Sequence, residues 1–382
     1  MKILVLGAGR MGFGAAFDLI HNSGVESVTI ADVELDRAKA IAERVGGSKL
    51  VAKQADASDY GQSVELMRGH DAAISCVTYP LNLQLARAAV EAKVNFCDLG
   101  GNNDVVAAEL ALDQSAREAG INIIPDCGLA PGMVSVLVAH GSERFDKLDE
   151  VHMRVGGLPL DPRPPFDYQI VFSVEGLINE YVERARVVRD GKIVEVDSMT
   201  EFELLDFPPF GILEAFQTSG GTSTLPETFL GSIKELDYKT IRYPGHGEKF
   251  KALIEAGMMS GQEITVDGAR VRPRRVLAEM LTRLLPSDGP DAVLVRVEFR
   301  GALAGRRQQL RYDIVDRYDE ATGLSAMMRT TAFPASIIAQ MMARGETTEK
   351  GAIPQERCVP PGPFVEALAA RNINIVETST EI

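Results

Sequence analysis

"KILVLGAGRMG", from Lys2 to Gly12, decides the fold. Its first half is a short continuous apolar run ending in glycine, the pattern of a strand buried on both faces. "GAGRMG" then sets Gly7, Gly9 and Gly12 in a G-x-G-x-x-G arrangement, and "RMGFGAAFDLIHN" continues with helical spacing. The hexapeptide alone is a weak signal. Between a strand and a helix it is the dinucleotide fingerprint. Gly7 permits the tight turn, Gly9 lets backbone approach a pyrophosphate, and Gly12 lets the helix lie close to the strand. The helix N-terminus, with Arg10 and Met11 in its first turn, offers unpaired N–H groups to the phosphates.

The same alternation runs outward from this unit. "SVTIAD" (Ser27–Asp32), "LVAKQAD" (Leu50–Asp56), "DAAISCVT" (Asp71–Thr78), "NFCDLG" (Asn95–Gly100) and "INIIPD" (Ile121–Asp126) read as strands. Helical patterns separate them, among them a long one over "DVVAAELALDQSAREAG" that stops at Gly120. Strand-helix alternation predicts an α/β Rossmann fold, a doubly wound parallel sheet with helices on both faces. Ligands then sit outside the carboxyl ends of the strands. Asp32, twenty residues after Gly12, is placed to bind the adenosine ribose hydroxyls and to repel a 2′-phosphate, which favours NAD over NADP. Asp56 is placed to touch adenine. Cys76, Val77, Thr78 and Tyr79 end the fourth strand, where the nicotinamide ribose is expected, and Asp98 ends the fifth. For Cys76 the simpler reading is a small buried hydrophobe.

After "MVSVLVAHGSERF" the pattern changes to strands without intervening helices, "DEVHMRVGG" and "RARVVRDGKIVEV". The Asp190-Gly191 pair between two alternating runs signals a hairpin. "DAVLVRVEFRGAL" and "QQLRYDIVDRYD" read as two more adjacent antiparallel strands, with helices expected in "PFDYQIVFSVEGLINEYVERA" and "AMMRTTAFPASIIAQMMARGE". These patterns predict a NAD-binding Rossmann domain over 1–130 and a second, α+β domain with a mixed or antiparallel sheet over 131–345. A C-terminal helix and strand follow over 346–382.

Composition narrows the partners. The 382 residues hold 40 basic and 54 acidic side chains, a formal charge of −14. That field repels phosphates, which argues against nucleic acid and anionic lipid. No apolar run reaches the roughly 18 residues of a membrane span, and the N-terminus lacks a small-residue cleavage site. A cytoplasmic protein is expected. Cys76, Cys97, Cys127 and Cys358 form no CxxC pair, so reduced thiols are the default. The five histidines are scattered without ligand spacing, and no metal is expected. Apolar strands in the second domain point to a homodimer.

The chemistry belongs beside the nicotinamide, where "PDCGLAPGM" (Pro125–Met133) follows the sixth strand. A nicotinamide dehydrogenase removes hydride from carbon and a proton from the attached heteroatom, so it needs a base and a clamp on substrate charge. Asp126 is the candidate base or ammonium-binding group, and equally a cap for the helix beginning near Pro131. Cys127 is a weaker proton donor or shapes the pocket. In the second domain, "SVEGLINEY" carries Glu175 and "FQTSGGTSTL" carries Thr222 and Thr224 in a turn suited to an anionic group. "KTIRYPGHG" gathers Lys239, Arg242 and His246 around a Pro-Gly turn. Arg242 is the candidate carboxylate clamp or a structural ion pair. His246 is a reserve general base or a loop residue, and Lys239 a substrate contact or a solvated cation.

Together "GAGRMG", "CVTYPLNLQLARAAVEAKVNFCDLGG", "DCGLAPGM", "SVEGLINEY", "EAFQTSGGTSTLPET" and "KTIRYPGH" resemble the saccharopine dehydrogenase family, closest to its lysine 6-dehydrogenase branch. The resemblance covers nearly the whole chain and is weakest over Ala252–Gln309 and in the tail. It implies NAD-dependent oxidation of the ε-amino carbon of L-lysine, release of ammonia, and cyclisation of allysine to piperideine-6-carboxylate. It also implies an acid-plus-thiol pair at Asp126 and Cys127 in the active-site cleft. Relatives that read "CGLDPG" carry an acid where this chain has Ala130, so a substrate contact there is missing or replaced. The rival readings are a saccharopine or carboxynorspermidine dehydrogenase acting on a carboxylated secondary amine and, from another class, a non-catalytic NAD-binding protein.

Overall fold

A computed structural model describes residues 1–22 and 24–382. Over the first 144 residues the apolar runs become strands and the 3.6-period segments become helices. In order these are β1 (Lys2–Leu6), α1 (Arg10–His21), β2 (Ser27–Asp32), α2 (Leu35–Val45), β3 (Leu50–Gln54), α3 (Tyr60–Met67) and β4 (Ala72–Ser75). Then come α4 (Asn82–Ala92), β5 (Asn95–Asp98), α5 (Asn103–Leu110), α6 (Asp113–Ala119), β6 (Asn122–Ile124) and α7 (Met133–Ser142). The single long helix expected up to Gly120 is two helices. The break at Ala111 and Leu112 turns Asp113 toward the sheet edge, where its Oδ1 accepts from the Ala352 N–H at 3.0 Å.

The next 180 residues carry β7 (Lys147–Pro159), α8 (Val174–Val182), β8 (Ala185–Arg189), β9 (Lys192–Val196), β10 (Glu203–Asp206), β11 (Ile212–Gln217), α9 (Leu225–Thr228) and β12 (Glu235–Arg242). They continue with α10 (His246–Glu255), β13 (Ile264–Val266), β14 (Ala269–Val271), α11 (Pro273–Leu284), β15 (Asp291–Leu303) and β16 (Arg306–Arg317). The chain ends with α12 (Ala326–Arg344), β17 (Gly351–Ala352), α13 (Gln355–Cys358), α14 (Pro361–Ala369) and β18 (Val376–Glu381). The helix expected from Pro165 to Ala185 forms only over α8, which Ser173 caps by accepting from the Gly176 N–H. Pro162, Pro164 and Pro165 keep the preceding chain irregular.

The chain divides into two compact units. The first comprises 1–144, 223–228 and 328–374, and the second 145–222, 229–327 and 375–382. Two later segments of the chain, 223–228 and 328–374, therefore complete the first unit, where the sequence predicts simple cuts at 130/131 and 345/346. Its sheet has the order β17-β6-β5-β4-β1-β2-β3 with every pairing parallel. That is the doubly wound order, with β1 and β4 adjacent at the switch point where a dinucleotide binds. Leu4, Leu6, Ala73, Phe96 and Ile123 are fully or almost fully buried beneath its helices. Coverage on both faces is why these strands read as unbroken apolar runs and not as alternation. The seventh strand, β17, is two residues long and leaves no pattern to read.

The second unit is built on a mixed sheet ordered β10-β11-β12-β7-β15-β16-β18, with β8 and β9 branching from β12. Only β12 and β7 run parallel; the other pairings are antiparallel. The Asp190-Gly191 hairpin forms as expected, both residues at positive φ (49° and 72°).

Candidate active site

The glycine-rich turn connects β1 to α1. Gly7 sits at φ 98°, and its N–H donates to the Ala31 carbonyl at 2.7 Å. A side chain on Gly7 would strike the Cys76 carbonyl, and one on Gly12 the Gly7 carbonyl. Packing therefore demands both glycines. Gly9 differs: a Cβ there would meet nothing within 4 Å. Its bareness leaves open space over the turn, the cradle that a pyrophosphate requires. Gly9 caps α1, whose first turn (Arg10, Met11, Gly12) carries no acid and has no side-chain cap. These residues fit a dinucleotide phosphate.

Asp32 braces this turn. Its Oδ2 accepts from the Ala8 N–H at 2.7 Å and its Oδ1 from the Glu34 N–H at 2.9 Å. Asp56 is exposed, and its Oδ1 accepts from both the N–H and the hydroxyl of Ser58, bonds that hold it below the usual carboxylate range. Cys76 fastens β4 to β1 through its N–H and the Leu6 carbonyl. Cys76 is half-buried, and desolvation pushes its thiol up, so it stays protonated. Val77 and Thr78 follow on the same sheet end, and the ring of Tyr79 lies against Gly101.

Gly100 and Gly101 then open onto Asp126. Both have positive φ (72° and 128°), and a side chain on Gly100 would occupy the position of Asp126 Oδ1. Asp126 itself has φ 60° and is only 3% exposed. Its Oδ2 accepts the hydroxyl hydrogen of Ser223, and the Gly101 N–H faces its carboxyl group. Burial, and next the Asp98 carboxylate, push its pKa up to about 7. An acid poised there takes or gives a proton near neutrality.

Asp98, expected to touch the nucleotide, is instead fully buried beneath Asp126. Its Oδ1 accepts from the Gly100 N–H at 2.6 Å and the Asp126 N–H at 3.3 Å. It is a support for the loop, because no part of its surface is open to a ligand. Cys127 is also fully buried, and its thiol donates toward the Ile124 carbonyl at 3.2 Å. Burial pushes it well above the ordinary thiol range, so it stays protonated and shapes the loop. Thr224 and Thr228 both donate to Oε1 of the buried Glu356, which ties down the segment carrying Ser223. Sequence reasoning missed Ser223, Glu356 and Glu109. Glu109 had a signal, since it shares the buried stripe of α5 with Val106, one turn earlier.

The second-unit candidates fall into separate groups. Thr222 donates to the Arg186 carbonyl at 2.8 Å. Glu175 lies on the surface and pairs with Arg274 at 2.7 Å. Strand alternation along β12 puts Lys239 and Arg242 on opposite faces of the sheet. Lys239 Nζ donates to Glu203 at 2.8 Å, within a network that also holds Arg154 and Asp237. Arg242 is buried; its Nε donates to the Tyr181 hydroxyl at 2.9 Å and its Nη1 to the Ile241 carbonyl at 2.9 Å. Tyr168 lies under the guanidinium. Burial opposes this charge, but Tyr181, Tyr168 and Glu180 together hold it above its usual range.

His246 is fully buried, and its role differs from that of a base. Nδ1 lies 2.9 Å from the Phe166 carbonyl, which only accepts, so Nδ1 carries the hydrogen. Nε2 is then the acceptor, and the Tyr181 hydroxyl donates to it at 2.9 Å. Burial, and next the nearby Arg242 charge, push His246 down to about 3. Neutral and with both nitrogens engaged, His246 orients Tyr181, which in turn holds Arg242.

Comparison with known proteins agrees with this architecture. The family model described as the saccharopine dehydrogenase NADP binding domain matches residues 3–124, and that of the saccharopine dehydrogenase C-terminal domain matches 128–373. Carboxynorspermidine synthase of Vibrio cholerae is 26% identical, over 96% of this chain and 94% of its own. The mitochondrial alpha-aminoadipic semialdehyde synthase of Rattus norvegicus is 21% identical over 99% of this chain, which spans only 48% of that protein. The apo saccharopine dehydrogenase (L-Glu forming) of Saccharomyces cerevisiae shares the fold. Its TM-score is 0.81 at 20% identity, with 99% of both chains covered.

Proposed function

This chain belongs to the saccharopine dehydrogenase family, and from that premise we propose that it oxidises the ε-amino carbon of L-lysine with NAD as hydride acceptor. It is an oxidoreductase acting on amine or imine groups through a nicotinamide cofactor. The observation that carries the finer reading is the buried carboxyl of Asp126, poised at about pH 7 beside Ser223. Oxidation of an amine requires that the ammonium first lose a proton, and a base works best when its pKa lies near the working pH. The likeness of "SVEGLINEY", "EAFQTSGGTSTLPET" and "KTIRYPGH" to the lysine 6-dehydrogenase branch supports the choice of substrate. Asp32, which repels a 2′-phosphate, supports NAD.

Asp126 accepts the ε-ammonium proton, freeing the nitrogen lone pair to form C=N as hydride leaves the ε-carbon. Gly7, Gly9 and Gly12 would hold the pyrophosphate of the dinucleotide, whose nicotinamide would supply the acceptor for that hydride. Asp126, now protonated, returns its proton to water as the imine takes up water and releases ammonia. The resulting allysine closes on its own α-amine. Ser223 holds the Asp126 carboxyl in one rotamer, and Gly100 leaves it room. In the second unit Arg242 is the proposed carboxylate-binding cation, a guanidinium held in place by the Tyr181 hydroxyl and the Ile241 carbonyl. Homodimeric assembly and a cytoplasmic setting complete the proposal.

The near end-to-end match to carboxynorspermidine synthase favours a second reading, reductive formation of a carboxylated secondary amine. An NADH-absorbance screen over lysine, ornithine, saccharopine and polyamines separates the two, run in both directions with NAD and NADP. Lysine oxidation with ammonia release supports the first. Activity only in the reductive direction, on an aldehyde plus an amine, replaces it with the second.

A further inference from the structure

Glu109 lies in the last turn of α5, and it is completely excluded from solvent. Among the described residues, none gives an N–H or O–H hydrogen bond to either of its carboxyl oxygens or to Oδ2 of Asp98. The two carboxyl groups nevertheless lie within hydrogen-bond reach of each other. Two ionised carboxylates in that position would repel in a medium that screens poorly. One proton between them removes the conflict: a neutral Glu109 donates O–H, and an anionic Asp98 accepts through Oδ2. Oδ1 of Asp98 is then left for the Gly100 and Asp126 N–H groups that it already binds. All four unusual features, the orphaned oxygens, the shared reach, the buried acid and the two N–H bonds, follow from that single proton.

We propose that Glu109 is a positioning residue that stays protonated and, by donating to Asp98, keeps Asp98 ionised as the clamp beneath the Asp126 loop. The inference deepens the reading of Asp126 as the base and rests on it for its catalytic consequence. Burial, and next the adjacent Asp98 charge, push Glu109 up, so it keeps its proton across the neutral range. The ionised Asp98 also acts on Asp126 and discourages a second negative charge there. The groups facing Asp126 are Asp98 from β5, Ser223, Glu356 from α13 and the Gly101 N–H. Those facing Glu109 are Asp98 and Asp126. A neutral donor at position 109 therefore raises the proton affinity of Asp126 indirectly, by preserving the charge on Asp98.

The test is an infrared titration of carboxyl groups in the substrate-free protein, with Asp126→Asn used to assign the Asp126 band. Wild type should keep a protonated-carboxyl band at about pH 9, above the Asp126 midpoint and within the range of buried acids. Glu109→Gln should lose that band yet leave the Asp126 midpoint in place, because the amide still donates to Asp98. Glu109→Leu removes the donor, so the Asp126 midpoint should fall by about one pH unit or more, and the acid limb of kcat/KM should fall with it. Retention of the alkaline band in Glu109→Gln overturns the proposal, as does an equal midpoint shift in both variants. The infrared readings need no turnover. Wild-type activity in Asp126→Asn would reject the base assignment while leaving the infrared result for Glu109 intact.

Discussion

Ser223 donates its hydroxyl hydrogen to Oδ2 of Asp126, 97 residues earlier in the chain. Ser223 belongs to the six-residue segment 223–228, which packs with the nucleotide-binding unit although the sequence on either side of it does not. Thr224 and Thr228, both bonded to Glu356, fix that segment. The side chain assigned the proton transfer is thus held by a strand of chain that arrives from elsewhere.

Two variants separate charge from orientation at this pair. Asp126→Asn keeps the shape and removes the base, so kcat should fall by on the order of 100-fold or more. Ser223→Ala removes a hydrogen bond that favours the ionised carboxylate. The Asp126 pKa should then rise, and the acid limb of kcat/KM should move to higher pH by less than about one unit. Steady-state kinetics across pH check both. A Ser223→Ala limb that moves to lower pH rejects the role given to that hydroxyl.

The two glycines Gly9 and Gly12 are predicted to part company. A methyl at Gly9 meets nothing within 4 Å, whereas one at Gly12 collides with the Gly7 carbonyl. Gly9→Ala should therefore leave thermal stability nearly unchanged and weaken dinucleotide binding by about tenfold or more, because it fills the space for the pyrophosphate. Gly12→Ala should destabilise the apo-protein, by about 1–3 kcal/mol as overpacking does. Calorimetry for NAD affinity and chemical denaturation for stability give the two readouts. Equal losses in both would mean that the turn is only structural.

Much of this is legible in the sequence. The glycine spacing, Asp32 and the alternating apolar runs are local signals, and strands covered on both faces leave them undiluted. The Asp190-Gly191 turn was legible for the same reason. The chemistry of the site was legible only in part, because it depends on contacts between distant positions. Asp126 stood out as an acid after a strand, but its Ser223 partner and the Asp98–Glu109 pair beneath it are products of topology. His246 and Lys239 stand out in the sequence by residue type alone, and their partners come from tertiary packing: His246 accepts from Tyr181, and Lys239 donates to Glu203. The long helix failed at Ala111 because α5 and α6 diverge where Asp113 meets the Ala352 N–H, a bond 239 residues apart.

Stability should depend on pH with one sign at buried His246 and the opposite sign at Asp126 and Glu109. His246 is pushed down to about 3, so the native state binds fewer protons than the unfolded chain between there and about pH 6.5. Stability contributed by the neutral ring is lost as pH falls through that window. His246→Asn should flatten this acid-side loss while leaving the limb assigned to Asp126 where it is in the kinetic profile. Urea denaturation midpoints from about pH 4 to 7, taken with the kinetic profile, test it. A displaced kinetic limb would restore His246 as a proton-transfer group.

Asp126 and Glu109 act in the other direction. Asp126 is raised to about 7 and Glu109 is raised further by burial and Asp98. Both native carboxyls therefore hold protons that the unfolded chain has released above about pH 4. With more protons bound in the native state, stability falls as pH rises, by up to about 1.4 kcal/mol per pH unit for each group inside its window. Asp126 stops contributing to the slope above its folded pKa, while Glu109 continues into the alkaline range. Asp126→Asn should flatten the slope below about pH 7, and Glu109→Gln should flatten what remains above it. Denaturation measured from about pH 5 to 9 reads both slopes in the apo-protein. A Glu109→Gln curve parallel to wild type above neutrality would mean that Glu109 is ionised in the native state, and that Asp98 cannot be receiving its proton.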